Sequence, residues 1–150
     1  MVLIEKKMDL FDVDLKKYTL AHCISFDCEM GMGIAKIFNN KYPNMKPYLK
    51  RVLSSNHLKY PIALTYTEED EYNTTIINLI TKEIYWHKPT YETITKAIND
   101  MKEICEFCGV KYLAIPKIGC GLDKLQWNRV KEILNEVFSN IDIEILVCSL

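Results

Sequence analysis

The chain has 150 residues and a formal net charge of −1; 49% of its residues are apolar, 11% aromatic and 26% charged. That length and balance describe one domain, residues 1–150, with apolar material for an ample core. They carry no global basic signal of a nucleic-acid binder, and no run approaches 18 consecutive apolar residues, so no membrane-spanning helix is expected.

Residues 1–7 lack the length and flanks of a secretory signal and read as a first strand. The apolar run 20–26 marks a second strand, near 19–25, which leads into Gly31-Met32-Gly33-Ile34-Ala35 and a helix near 33–41. Another helix follows near 44–54. From residue 30 to 67 there is no acid, while Lys36, Lys41, Lys46, Lys50, Arg51 and Lys59 are all positive, and Glu68-Glu69-Asp70-Glu71 follows at once. Either these lysines solvate helical faces ahead of an acidic hairpin tip, or they form a basic rim beside the first glycine loop.

Strands near 61–67 and 74–81 are joined by a turn at Asn73-Thr74. Residues 76–80 are strongly apolar, as in a buried strand. Lys82 stands where that strand ends, a place where a lysine is ordinarily just solvated. The helix near 90–108 has a stripe of Tyr91, Ile94, Ile98, Met101, Cys105 and Cys108, with Thr90 as N-cap and Gly109 as stop. A strand near 111–116 runs into a loop holding Gly119, Gly121 and the lone acid Asp123. A helix near 126–139, patterned by Val130, Ile133, Leu134, Val137 and Phe138, and a strand near 141–148 complete the chain. Strands alternating with helices argue for an α/β fold with a partly parallel sheet and helices on both faces.

Six cysteines, at 23, 28, 105, 108, 120 and 148, and no export signal make reduced thiols in the cytoplasm the expected state, or in the nucleus of a eukaryote. Cys105-x-x-Cys108 has metal-like spacing but lies in a helical pattern without a partner pair, so no metal is assigned. No cofactor is expected either.

Two glycine-bearing strand-to-helix junctions in one small domain point to a ligand. Glycines let backbone N–H groups approach closely, and a helix start adds partial positive charge, which together suit phosphate. Two such loops facing one another suit a diphosphate. Both loops and Lys82 fall at carboxyl ends of strands, where such sheets bind ligands. Gly-x-Gly alone also fits an ordinary βα turn, and Asp123 alone also fits a helix cap or first-turn acid.

The segments Asp9-Leu10-Phe11, Leu20-Ala21-His22-Cys23-Ile24-Ser25, Met30-Gly31-Met32-Gly33-Ile34-Ala35, Leu79-Ile80-Thr81-Lys82, His87-Lys88-Pro89-Thr90-Tyr91 and Ile118-Gly119-Cys120-Gly121-Leu122-Asp123, extended by Leu125-Gln126-Trp127, resemble the macrodomains. Within them they look like the terminal ADP-ribose protein glycohydrolase branch, from about residue 2 to the end of the chain. Two positions depart from the pattern: Met8 replaces a glycine of the opening motif, and Met32 stands where a smaller residue is usual.

The resemblance implies a three-layer macrodomain fold with a mixed six-stranded sheet flanked by helices on both faces. It also implies Lys82 as nucleophile and Asp123 as general acid/base, with Asp9, Leu10, Ser25, Gly31, Gly33, Lys117, Ile118, Gly119, Cys120, Gly121, Leu122 and Leu150 at substrate-contacting positions. The implied activity is removal of mono-ADP-ribose from acidic protein side chains, or of acetyl from O-acetyl-ADP-ribose, through a lysine-bound intermediate. The alternatives are hydrolysis of ADP-ribosylated nucleic-acid bases and a non-catalytic ADP-ribose-binding module. The expected partners are ADP-ribose and ADP-ribosylated macromolecules, met by a monomer with no membrane association. A nucleophilic lysine amine must be neutral, and Lys88 and His87 are the neighbouring groups able to favour that form.

Overall fold

A computed structural model describes residues 1–150. The elements run β1 (Val2–Lys7), β2 (Thr19–Ser25), α1 (Gly33–Lys41), α2 (Met45–Ser55), β3 (Ile62–Thr67), β4 (Thr75–Lys82), α3 (Tyr91–Cys108), β5 (Tyr112–Ile115), α4 (Trp127–Val137) and β6 (Glu144–Ser149). One turn of 3-10 helix, Leu10–Asp12, follows β1. The strands form a single sheet in the order β1-β6-β5-β2-β4-β3. Every neighbouring pair is parallel except β3 with β4, which is antiparallel.

Successive strand residues face opposite sides of a sheet, and in the central strands both sets are apolar. Ala21, Ile77, Leu79, Leu113, Ile115, Ile145 and Val147 pack with the buried stripes of α3 and α4. Leu20, Ile24, Ile76, Ile80, Ala114 and Leu146 pack on the other face with Phe38 of α1 and Met45, Leu49 and Leu53 of α2. The result is three layers. No helix is long and apolar enough to cross a membrane.

Local chemistry sets the ends of the elements. Thr90 and Thr93 form a reciprocal capping box on α3, and Gly109 ends it in the left-handed region at φ 68°. Cys108, expected in the buried stripe, is exposed, because the helix turns away into its Gly109 stop within one residue. The acidic tip between β3 and β4 is a solvated turn in which Asp70 accepts from the Tyr72 and Thr74 amides.

The last strand starts at Glu144 rather than 141. The Ile141 amide bonds to the Phe138 carbonyl, closing the turn after α4, and Ile143 gives its carbonyl to Val2. These two apolar residues pack against the core from a connection rather than from a strand.

Candidate active site

Five parallel strands, β1, β2, β4, β5 and β6, end on the same side of the sheet. The segments leaving them line one cleft of about 1140 Å³. Lys82, Asp123, Asp9, Leu10, Ser25, Gly31, Gly33, Lys117, Ile118, Gly119, Cys120, Gly121, Leu122 and Leu150 all line it. Leu10 and Ile118 are buried in its floor, whereas Leu122 and Leu150 are exposed at its edge. Asp9 caps the short 3-10 turn by accepting from the Phe11 amide, which fixes the entry to the cleft.

The two glycine loops face each other. Gly33 (φ 59°) opens α1, and a Cβ there would lie 3.2 Å from Leu122 Cδ1, so the first loop and the 119–123 loop meet across the cleft. Gly119 (φ 73°) is needed twice over: its backbone is left-handed, and a Cβ would come within 2.7 Å of Ile94 Cδ1 and 3.1 Å of Leu125 Cδ1. The amides of Gly31, Met32, Gly121, Leu122 and Asp123 donate to no backbone carbonyl. Such unspent donors beside a helix start are the groups a phosphate takes.

Lys82 Nζ donates to Asp123 Oδ1 at 2.6 Å, and the two side chains are only 13% and 14% exposed. A register shift between Ile24 and Ser25 pairs Ser25 with Lys82 instead of Thr81, an irregularity of the kind that re-aims side chains next to sites. Asp123 caps no helix. The N-cap of α4 is Gln126, and the loop reaches it through a bond from the Leu125 amide to the Gly119 carbonyl.

Lys88 does not stand free beside Lys82: its Nζ donates to the Leu122 carbonyl at 2.6 Å. His87 meets the Trp86 ring edge-on. Burial pushes the Cys120 thiol up to about 11, and burial also raises Cys23, which Asp123 reinforces. Both stay neutral thiols at physiological pH, so neither presents a thiolate to the cleft.

Asp27, beside the cleft, and the Tyr85–Trp86 pair on its wall lay outside the sequence reading. Asp27, just past β2, accepts from the Ser25 hydroxyl, from the Glu29 amide at 3.2 Å and from the Tyr85 amide at 3.1 Å. Burial pushes its carboxyl up, but these three bonds outweigh that and hold it below the usual carboxylate value. Ser25 therefore spends its proton on Asp27 and offers a ligand only lone pairs. Tyr85 and Trp86 are exposed on the cleft wall, at 52% and 65%. Of the basic residues between 30 and 67, none lines the cleft; Lys46 donates at 2.9 Å to the Glu29 carbonyl at its edge, and Lys41 Nζ lies 5.1 Å from the Phe11 ring centroid.

A three-layer domain with a mixed six-stranded sheet and a cleft of about 1140 Å³ at the strand ends is the macrodomain architecture. The Macro domain family model matches residues 22–134, and the chain belongs to that family. It is 42% identical over 144 residues to human "ADP-ribose glycohydrolase OARD1", covering 96% of this chain and 89% of that protein. Among solved structures, the macrodomain of Mycobacterium tuberculosis DarG superposes with a TM-score of 0.89 at 20% identity, over 99% of this chain and 98% of that one. Thermosipho africanus DarTG in complex with ADP-ribose gives 0.85 at 19% identity, over 99% of this chain and 42% of that one.

Proposed function

We propose that the protein is an ADP-ribosyl hydrolase that removes mono-ADP-ribose from acidic protein side chains through a covalent bond to Lys82. The observation that carries this reading is the Lys82–Asp123 pair, held at 2.6 Å in a cleft with unspent backbone donors. The glycohydrolase named among its relatives supports the activity class.

In the proposed reaction the glycine-loop amides hold the diphosphate, which places C1 of the distal ribose at Lys82. Moving the shared proton from Lys82 to Asp123 turns the ion pair into a neutral amine and a carboxylic acid, the reactive form of both. Asp123 protonates the departing carboxylate of the acceptor while Lys82 Nζ bonds to C1. The Asp123 carboxylate then takes one proton from the new C1-bonded ammonium, and the lone pair this frees expels the ring oxygen, which receives that proton and leaves a protonated Schiff base. Water adds to the C=N carbon, the C–N bond breaks, and ADP-ribose leaves with the lysine regenerated. O-acetyl-ADP-ribose presents an ester on the same ribose and is a second small substrate of this reading.

A second reading, hydrolysis of ADP-ribosylated nucleic-acid bases, is favoured by the exposed Tyr85–Trp86 pair on the Lys82 side of the cleft, where a base could stack. A purely ADP-ribose-binding module would have no use for a lysine paired with an acid in the ligand cleft. The deciding experiment incubates the protein with protein, DNA and RNA carrying ADP-ribose and measures released ADP-ribose. Release from glutamate-linked protein supports the first reading; no release from any of the three overturns hydrolysis.

A further inference from the structure

The loop of residues 83–88 leaves the strand that carries Lys82, and it is fastened at both ends to the other two loops of the cleft. At its near end the Phe26 amide bonds to the Lys82 carbonyl at 2.9 Å and the Asp27 amide to the Glu83 carbonyl at 3.2 Å. The Asp27 carboxylate closes this end by taking the Tyr85 amide on Oδ2, while Oδ1 holds Ser25 and Glu29. At the far end Lys88 Nζ donates to the Leu122 carbonyl at 2.6 Å. Leu122 immediately precedes Asp123. One fastening thus adjoins the lysine of the reacting pair, and the other adjoins its acid.

We infer that Asp27 and Lys88 are positioning residues for the Lys82–Asp123 pair, each tying the 83–88 loop to one wall of the cleft so that amine and carboxylate meet in line with the distal ribose. Neither is itself a catalytic residue. The Asp27 oxygens are occupied by protein donors, and the Lys88 bond is made to a backbone carbonyl. Charge-assisted bonds of this kind are stronger and more directional than neutral ones. A lysine side chain, with four rotatable bonds, needs such outside constraint to stay aligned with a partner on another loop. The inference rests on the lysine-and-acid reading of the site.

The test uses the full chain with Asp27→Asn, Lys88→Met, Lys88→Arg and the Asp27→Asn/Lys88→Met double variant. Asparagine keeps the size of Asp27 but sets an amide donor against an N–H. The readouts are kcat on a peptide carrying glutamate-linked ADP-ribose, the Kd for free ADP-ribose, and amide hydrogen exchange without ligand.

Asp27→Asn and Lys88→Met are each expected to lower kcat about tenfold or more with Kd changed less than about twofold. Lys88→Arg recovers most of the loss. The double variant loses less than the product of the singles, because both hold one loop. Exchange of the Tyr85 amide rises about tenfold or more in Asp27→Asn.

Unchanged kcat beside an active wild type overturns the inference. So does a kcat loss matched by an equal loss of ADP-ribose affinity, a Lys88→Arg protein no better than Lys88→Met, or unchanged Tyr85 exchange. An inactive wild type instead sinks the catalytic reading, while the exchange measurement still decides whether Asp27 fastens the loop.

Discussion

Lys82 and Asp123 lie 41 residues apart in sequence and 2.6 Å apart in space. One stands at the end of β4, the other in the loop between β5 and α4. Lys82→Ala and Asp123→Ala are each expected to lower turnover by roughly 10²–10⁴-fold, with ADP-ribose binding retained. Borohydride added during turnover is expected to trap a sugar adduct on Lys82, located by peptide mass spectrometry. Because the pair is mostly buried, each single variant also leaves a charge unpaired, at a cost of about 1–3 kcal/mol. The double variant Lys82→Met/Asp123→Leu should recover much of that in denaturant titration without recovering activity. An active Lys82→Ala protein, or trapping on another lysine, moves the nucleophile elsewhere.

The loop glycines separate into two kinds. Gly119→Ala meets a left-handed φ of 73° and a contact of 2.7 Å to Ile94. It is expected to cost about 1–3 kcal/mol and to disturb the cleft as well. A Cβ at Gly121 would meet nothing within 4 Å beyond its own chain neighbours, so Gly121→Ala is expected to stay within about 0.5 kcal/mol of wild type. Its affinity for ADP-ribose should nevertheless fall, since the added methyl stands beside an unspent amide. Equal stability of the two variants in urea titration would show that backbone strain at Gly119 is relieved elsewhere.

The frame of the site was legible from local signals, whereas Lys82, Asp123 and the contact positions were assigned through the macrodomain resemblance. Strand ends, glycines with left-handed φ at 33 and 119, and the Thr90 and Gly109 stops are short-range features that a sequence carries directly. What it could not carry are contacts between distant loops. Asp27 reaches Tyr85 across 58 residues and Lys88 reaches Leu122 across 34. On sequence alone the first is an acid after a strand and the second a cation near Lys82, with nothing to tie it to Leu122. Asp123 was ambiguous for the same reason. Its spacing before Gln126 permits a helix cap, and only the fold of the 119–125 loop turns it toward Lys82. The basic stretch left two readings open, and the structure favours the solvated helical face, since none of its basic side chains lines the cleft.

His22 gives the fold a pH dependence. It is fully buried on β2, its Nε2 donates to Asn78 Oδ1 at 2.7 Å, and its ring stacks on Phe38. Burial lowers its pKa to about 4 from an ordinary 6.5, although the Asn78 bond acts in the other direction. Between those two values the unfolded chain binds more protons than the folded one, so stability falls as pH drops from about 6.5 to about 4 and this contribution levels off below. The total is about 3 kcal/mol. Urea unfolding at stepped pH is expected to show this slope, and His22→Leu to flatten it even while lowering stability overall by leaving Asn78 Oδ1 without its donor. An unchanged slope in His22→Leu assigns the acid sensitivity to other groups.

The acceptor side of the cleft decides the substrate. Lys46, Lys50 and Arg51 are not among the residues lining it, so glutamate at all three positions is expected to change hydrolysis of glutamate-linked ADP-ribose less than about twofold, at low salt and high salt alike. The nucleic-acid reading demands the reverse on ADP-ribosylated DNA or RNA: a strong fall in turnover and loss of its salt dependence, because each phosphate neutralised adds to the salt slope. Trp86→Ala supplies the independent arm. Loss of a stacked base costs about 1–3 kcal/mol, so under that reading the ratio of kcat/KM on modified DNA to that on the glutamate peptide falls about tenfold. With acidic protein side chains as the substrate, the ratio is expected to stay constant. A ratio that collapses in Trp86→Ala, together with a lost salt slope in the charge-reversed protein, would move the substrate from protein to nucleic acid while leaving Lys82 and Asp123 in the same roles.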